Sequence, residues 1–365
     1  MGGGTRMTNE RLMIFPVDGE YLPFLKYSDL LERKSSVACY APKGWFYVNK
    51  TISVYDKRTL TVKDISECTD FSEFDTVWIV NSNGEIDFSS TILPIIEQAA
   101  KEKKTIRITR ALTAEEYYEC SQLCKTYGTL IESQEREPAS PDYTPTILRI
   151  QTPIVFVFGM FEHTEKLDTI LYLHQGIGQA GYKVKTILTR KNETDLDELI
   201  SFPNFMQAKQ YSVTDKIFLF NHFIRRLELE EKPDIMIIGL PGEMMPLDER
   251  HNGNFGVFPY IISNAVHCDY AVMKLFHNFY DQSFADQLQE IAKYKFEIDI
   301  NAFAVSNSLI DAASISTSAL RFYVSEKRPA QLPRNFYFDH TDNSGNSLCE
   351  HLIETLQMLG NYIAI

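Results

Sequence analysis

The sequence predicts an α/β protein made of two doubly wound parallel sheets, and three observations lead there. Apolar runs of strand length alternate with helical patterns twice, between residues 11 and 132 and again from residue 153 onward; strands alternating with helices imply βαβ crossovers. A Pro-rich polar stretch separates the two series. The 365 residues exceed one usual domain of roughly 100 to 200 residues and suit two.

In chain order, "RLMIFPV" and "SSVACYAP" read as strands around a helical "YLPFLKYSDLLER". "DTVWIVNS" is the third apolar run, followed by the helix "FSSTILPIIEQAAKEKK" and the strand "TIRIT". The helix "TAEEYYECSQLCKTYG" stops at Gly128, where a positive φ is cheap, before "TLIES". "SQEREPASPDYTPT" carries Pro138, Pro141 and Pro145 and reads as a linker. The second series opens with the strand "PIVFVFG", a helix from about Lys166 to Ala180 closed by Gly181, and the strand "YKVKTILT", which together make one βαβ unit. In "DKIFLFNHFIRRLELEEK", Ile217, Phe220, Ile224 and Leu227 recur at helical spacing. "PDIMIIGLPG", "CDYAVMKL", "AFAVSN" and "ALRFYVS" read as further strands, and "GVFPYIISNAV", "SFADQLQEIAKYKF" and "SLCEHLIETLQMLGNY" as helices. The expected organisation is a Rossmann-like domain over 7–135, a linker over 136–150, a P-loop-like domain over 151–326, and an irregular segment with a final helix over 327–365. "MGGGTR" reads as an appended stretch before a natural start at Met7.

Composition narrows the function. Apolar residues make up 44% and charged residues 23%, as in folded soluble proteins. A net charge of −13 and a pI near 5.2 argue against a broad nucleic-acid footprint, which draws its affinity from Lys and Arg. No apolar run reaches the roughly 18 to 20 residues a bilayer span requires, so a cytoplasmic protein is expected. The six cysteines are scattered, which fits reduced thiols; Cys120 and Cys124 lie one helical turn apart and read as packing residues. His222 reads as a half-buried helix residue, and no metal-binding, H-E-x-x-H or G-x-S-x-G pattern is present.

"GMFEHTEK", running from strand to helix, has the order a phosphate-binding loop needs: backbone N–H groups wrap an anion at a helix N-terminus, a Lys reaches the outer phosphates, and a following hydroxyl holds magnesium. Gly159, His163, Thr164 and Lys166 are its candidate anion-binding residues, with Gly239 and Gly242 from the facing "GLPG". Three positions depart from the pattern. Glu165 stands where a Gly belongs, and two like charges about 4 Å apart repel by roughly 1 kcal/mol in water. Leu167 replaces the hydroxyl, and Ile238 stands where an acid precedes the Gly. Thr164 is expected to cap the helix, with Glu165 favouring its dipole. The loop 240–256 leaves the carboxyl end of a buried strand, where open α/β sheets bind ligands. It supplies Glu243, Asp248, Arg250, His251 and Asn254; His163 and His251 are expected to meet above the sheet. It reads equally as a solvated connector. In the first domain Asp18 and Lys43 follow the first two strands and are candidates for lining a cleft.

The loop spacing resembles the longer G-x-x-x-x-x-G-K-T variant of dethiobiotin-synthetase-like enzymes. The two-domain order is similar to a group that forms amide bonds with ATP, although the intact loop of that group is missing. Taken together, "MIFPVDGEYLPFLKYSDLLE", "APKGW", "DTVWIVNS", "PDIMIIGLPGEMMP", "NFGVFPYIISNAV" and the Gly159 loop resemble the clostridial peptide-maturation accessory proteins of natural-product cassettes. That resemblance implies a non-catalytic or weakly nucleotide-binding accessory protein that recognises a peptide, a carrier protein or an enzyme partner. Any cofactor would be ATP or another nucleotide without strong magnesium dependence, and no metal is expected. The alternative is an ATP-dependent ligase or kinase with a rebuilt site around His163 and Glu243.

Overall fold

A computed structural model describes residues 10–19, 21–27, 34–53, 59–82, 86–133, 139–194, 196–317, 320–325, 327–329 and 332–360. The chain divides into two compact units: one comprises Met1–Arg136 with Glu193–Leu196, the other Glu137–Asn192 with Asp197–Ile365. Both are α/β, as the alternation predicts.

The first unit holds β1 (Glu10–Phe15), α1 (Leu22–Lys26), β2 (Lys34–Ala41), β3 (Thr51–Ser53), β4 (Thr59–Asp64), β5 (Thr76–Ile79), α2 (Leu93–Lys101), β6 (Thr105–Ile108), α3 (Ala114–Tyr127) and β7 (Ile131–Ser133). They form a seven-stranded sheet in the order β3-β4-β2-β1-β5-β6-β7, parallel except for the β3–β4 pair. Leu12 to Phe15 of β1 are all fully buried, as expected of a strand covered on both faces. The helix expected over 21–33 is α1 as far as Lys26, and residues 28–33 lie outside the described residues, as does the "MGGGTR" stretch. A π turn at Phe88–Ile92, capped by Asp87, leads into α2. α3 begins with a full capping box between Thr113 and Glu116 and ends on Gly128 at φ 65°. Its Cys120 and Cys124 share a buried face.

The second unit contains β8 (Ile154–Gly159), α4 (Lys166–Gln179), β9 (Val184–Ile187), β10 (Leu199–Ile200), α5 (Val213–Glu231), β11 (Ile235–Gly239), α6 (Val257–Ala265), β12 (Tyr270–Leu275), α7 (Gln282–Phe296), β13 (Ala302–Val305), β14 (Ser308–Ile310), β15 (Phe322–Val324), β16 (Phe336–Phe338) and α8 (Leu348–Gly360). Seven parallel strands run in the order β10-β9-β11-β8-β12-β13-β16, and β14 and β15 pair antiparallel. β8 is central: the chain first builds the sheet on its β11 side and then on its β12 side. This reversal of strand order is where a doubly wound sheet opens a crevice at its carboxyl edge. Among the described residues no helix is long and apolar enough to cross a membrane.

Candidate functional site

The loop between β8 and α4 lies at that reversal and runs from strand to helix, the order a phosphate-binding loop needs. At Gly159 an added Cβ would lie 2.5 Å from both the Phe161 carbonyl oxygen and Thr164 Oγ1, so only glycine allows the turn. His163 (φ 57°) and Glu165 (φ 59°) adopt the left-handed conformation that costs a side chain roughly 1–2 kcal/mol. Glu165 thus takes the conformation a glycine would supply, and Ser308 Oγ donates to its Oε1 at 2.6 Å.

The expected capping by Thr164 is corrected: Glu165 occupies the cap position without a side-chain cap bond, and the buried Thr164 hydroxyl turns back to donate to the Phe161 carbonyl. Glu165 is likewise spent on Ser308, and the first-turn acid of α4 is Asp168. Leu167 and Ile238 are buried. Neither offers an oxygen to a cation.

The facing loop closes on the first. Met244 N–H donates to the Gly159 carbonyl, the Glu162 N–H donates to Glu243 Oε2 at 3.1 Å, and the Lys166 ammonium donates to the Gly242 carbonyl. Gly242 (φ 77°) makes the turn that presents this carbonyl. Gly239 serves packing instead: a Cβ there would meet Ile170 Cδ1 at 2.5 Å. Glu243 is 3% exposed, and burial followed by the nearby Glu162 charge raises its carboxyl above the usual range. Its Oε2 takes a loop N–H of the kind that would otherwise face phosphate, while its Oε1 has no hydrogen-bond partner among the described residues. Gly253 (φ 48°) is required above it, since a Cβ there would fall 1.6 Å from Oε1.

Asp248 organises the rest of this loop. It accepts from the backbone N–H groups of His251 and Arg250 and from His251 Nδ1 at 3.0 Å, and these bonds hold its carboxyl below the usual range. Arg250 reaches the Ser316 carbonyl, Asn254 is exposed, and Lys295 ties down the Met244 and Phe255 carbonyls. His163, His251, Glu162, Glu243 and Arg250 all line one cavity of about 500 Å³.

Beneath the loop lies a polar layer that the sequence reading missed. Lys274, next to last in β12, lies beside Gly159 and donates to Thr169 Oγ1 at 3.0 Å; His340 Nε2 lies 3.2 Å from the same hydroxyl and 3.5 Å from Asp168 Oδ2. All four residues are buried. The signal available was Lys274 itself, a cation inside the apolar run "YAVMKL".

In the first unit the strand order also reverses, between β1 and β5. Asp18 does not present its carboxylate for a ligand there: it accepts from Tyr21 N–H and its carbonyl from Leu22 N–H, starting α1. Lys43 is exposed. The group at this edge is the fully buried Glu193, whose Oε1 accepts from Asn81 N–H at 2.8 Å and from Thr109 Oγ1 at 2.9 Å.

A magnesium-bound nucleotide does not fit the second unit's loop. One of the loop's N–H donors is bonded to an internal carboxylate, its lysine donates to a carbonyl, and no hydroxyl or acid stands at Leu167 or Ile238.

The chain is similar to a DUF1611 family protein from Anabaena variabilis ATCC 29413, with a TM-score of 0.54, 14% identity, and coverage of 81% of this chain and 88% of that one. At that identity the likeness shows the fold. A cobyrinic acid a,c-diamide synthase from Mycobacterium smegmatis, solved with ADP and magnesium, overlaps 43% of this chain and 75% of its own at a TM-score of 0.31 and 10% identity. No family model matches the chain and no curated protein matches it.

Proposed function

We propose that this protein is a non-catalytic recognition component of a peptide-maturation system, in which a phosphate-loop architecture has become a scaffold for holding a peptide partner. The observation that carries this reading is the internal anion. The Glu243 carboxylate lies on the Glu162 N–H, so a nucleotide phosphate would have to expel a buried side chain to reach the loop. Lys166, held by the Gly242 carbonyl, is not poised to follow charge on a transferring phosphoryl group. The sequence resemblance to maturation accessory proteins supplies the biological setting, and the aromatic cavity beside the loop supplies a surface suited to a peptide.

The test is turnover of labelled ATP with and without magnesium, alongside capture of partners from the native host. No phosphate release above background is expected, and Lys166→Ala should leave that background unchanged. Magnesium-dependent release abolished by Lys166→Ala would replace this reading with the ligase or kinase alternative.

A further inference from the structure

Two residues that line the same cavity, Glu243 and His251, each carry a buried side-chain atom without a hydrogen-bond partner among the described residues. One atom is Glu243 Oε1; the other is His251 Nε2. The tautomer of His251 follows from its other nitrogen: Nδ1 lies 3.0 Å from Asp248 Oδ1 and donates to it, and the tautomer with its proton on Nδ1 presents a lone pair at Nε2. A buried acceptor left unmatched is destabilising, so two on residues lining one cavity favour a ligand that only donates. An ammonium has three donors and no acceptor; the cavity wall carries two carboxylates, Glu162 and Glu243, against one guanidinium, Arg250, which is engaged by the Ser316 carbonyl.

The second half of the ligand is set by the neighbouring space. A cavity of about 810 Å³ shares Phe161, Leu247, Phe276 and Ile310 with the first, so the two lie side by side across those residues. Its further lining includes Phe284 and Leu309, and the one carboxylate among its described lining residues, Asp281, is occupied in capping α7 through the Phe284 N–H. An apolar group fits there against Phe161, Phe276, Phe284 and Leu309.

We propose that the paired cavities bind the N-terminus of a peptide, with the α-ammonium between Glu243 and His251 and an aromatic first side chain in the adjoining apolar space. This inference rests on the recognition reading above and names its ligand class. An α-amino group has an ordinary pKa of about 7.7–8.0, so it is largely charged at neutral pH.

The experiment is calorimetric titration of the full chain at pH 7.0 with a pentapeptide beginning with phenylalanine, its N-acetylated form, its alanine-initiated form, and an N-acetylated form carrying an internal lysine. Binding is expected for the first, weakened roughly tenfold or more by acetylation or by alanine, and not restored by the internal lysine. Glu243→Gln should weaken the first peptide by a similar factor while leaving the circular dichroism spectrum intact. Leu309→Arg, at the wall of the apolar cavity, should weaken the phenylalanine peptide and spare the alanine one. Equal binding of free and acetylated peptides, no binding of the free peptide, preference for the lysine side chain, or indifference to Glu243→Gln would each overturn the proposal. Magnesium-dependent ATP turnover by the same preparation would overturn the recognition reading instead, so the two failures are distinguishable.

Discussion

At the scale of single residues, Glu243 is the group whose energetics run against the fold. Its carboxyl pKa is raised in the folded protein because burial disfavours the charge. A carboxyl raised on folding contributes stability that is complete below the unfolded value of about 4.3 and is lost as pH rises through the folded value. At neutral pH the buried charge is therefore a liability that one N–H does not offset. Glu243→Gln keeps the acceptor for Glu162 N–H and removes the charge, so it should stabilise the protein at pH 7.5 by about 1 kcal/mol, a rise in Tm of roughly 2–4 °C. Thermal melts from pH 7.5 down to pH 4 should show that gain shrinking toward zero. A difference between variant and native protein that is flat with pH would mean Glu243 is fully compensated. Selection for a destabilising carboxylate makes sense where the charge meets a ligand, as sites of function commonly sacrifice stability.

At the scale of elements, the β8–loop–α4 unit is held by sterics at one end and by tolerated strain at the other. Gly159→Ala should cost about 2–3 kcal/mol, because its Cβ would meet a backbone carbonyl that cannot move without opening the loop. Glu165→Gly should be nearly neutral: relief of the left-handed conformation, about 1–2 kcal/mol, offsets the lost bond from Ser308, about 0.5–1.5 kcal/mol. Denaturant unfolding of both variants checks the contrast, and equal destabilisation would refute it.

Much of this unit was legible in the sequence, since the apolar strand, the Gly–Lys spacing and the closing Gly181 report backbone requirements that act locally. The same is true of the Thr113 capping box and of Gly128. What escaped was short or distant. β3, β10, β14 and β16 are two or three residues long, too brief for a period to register. The helix cap expected at Thr164 failed because the left-handed turn at Glu165 moved the cap one residue on. Glu243 was visible as a candidate, yet its bond to Glu162 spans 81 residues and its orphaned oxygen is a fact of three dimensions.

At the scale of the whole molecule, the chain solves the same problem twice in opposite ways. Each unit reverses its strand order at a carboxyl edge, and at each edge stands a buried glutamate where such folds receive anionic ligands. Glu193 is satisfied, accepting from Asn81 N–H and Thr109 Oγ1, and the Thr109 hydroxyl in turn accepts from the Trp78 indole at 3.0 Å. Its carboxylate completes a structural network, whereas Glu243 keeps one buried oxygen without a partner among the described residues. Substitutions at the two glutamates should therefore have opposite signs. Glu193→Ala strands a buried N–H and a hydroxyl, which should destabilise the first unit by about 1–3 kcal/mol and shift the emission of Trp78, one of only two tryptophans in the chain. Melts followed by tryptophan fluorescence would report that loss, and an unchanged midpoint would show that the Glu193 network contributes nothing to holding the first unit together. The contrast separates a glutamate that completes a network in one unit from one that keeps an unmatched oxygen in the other, beside the loop between β8 and α4 where we propose that a ligand binds.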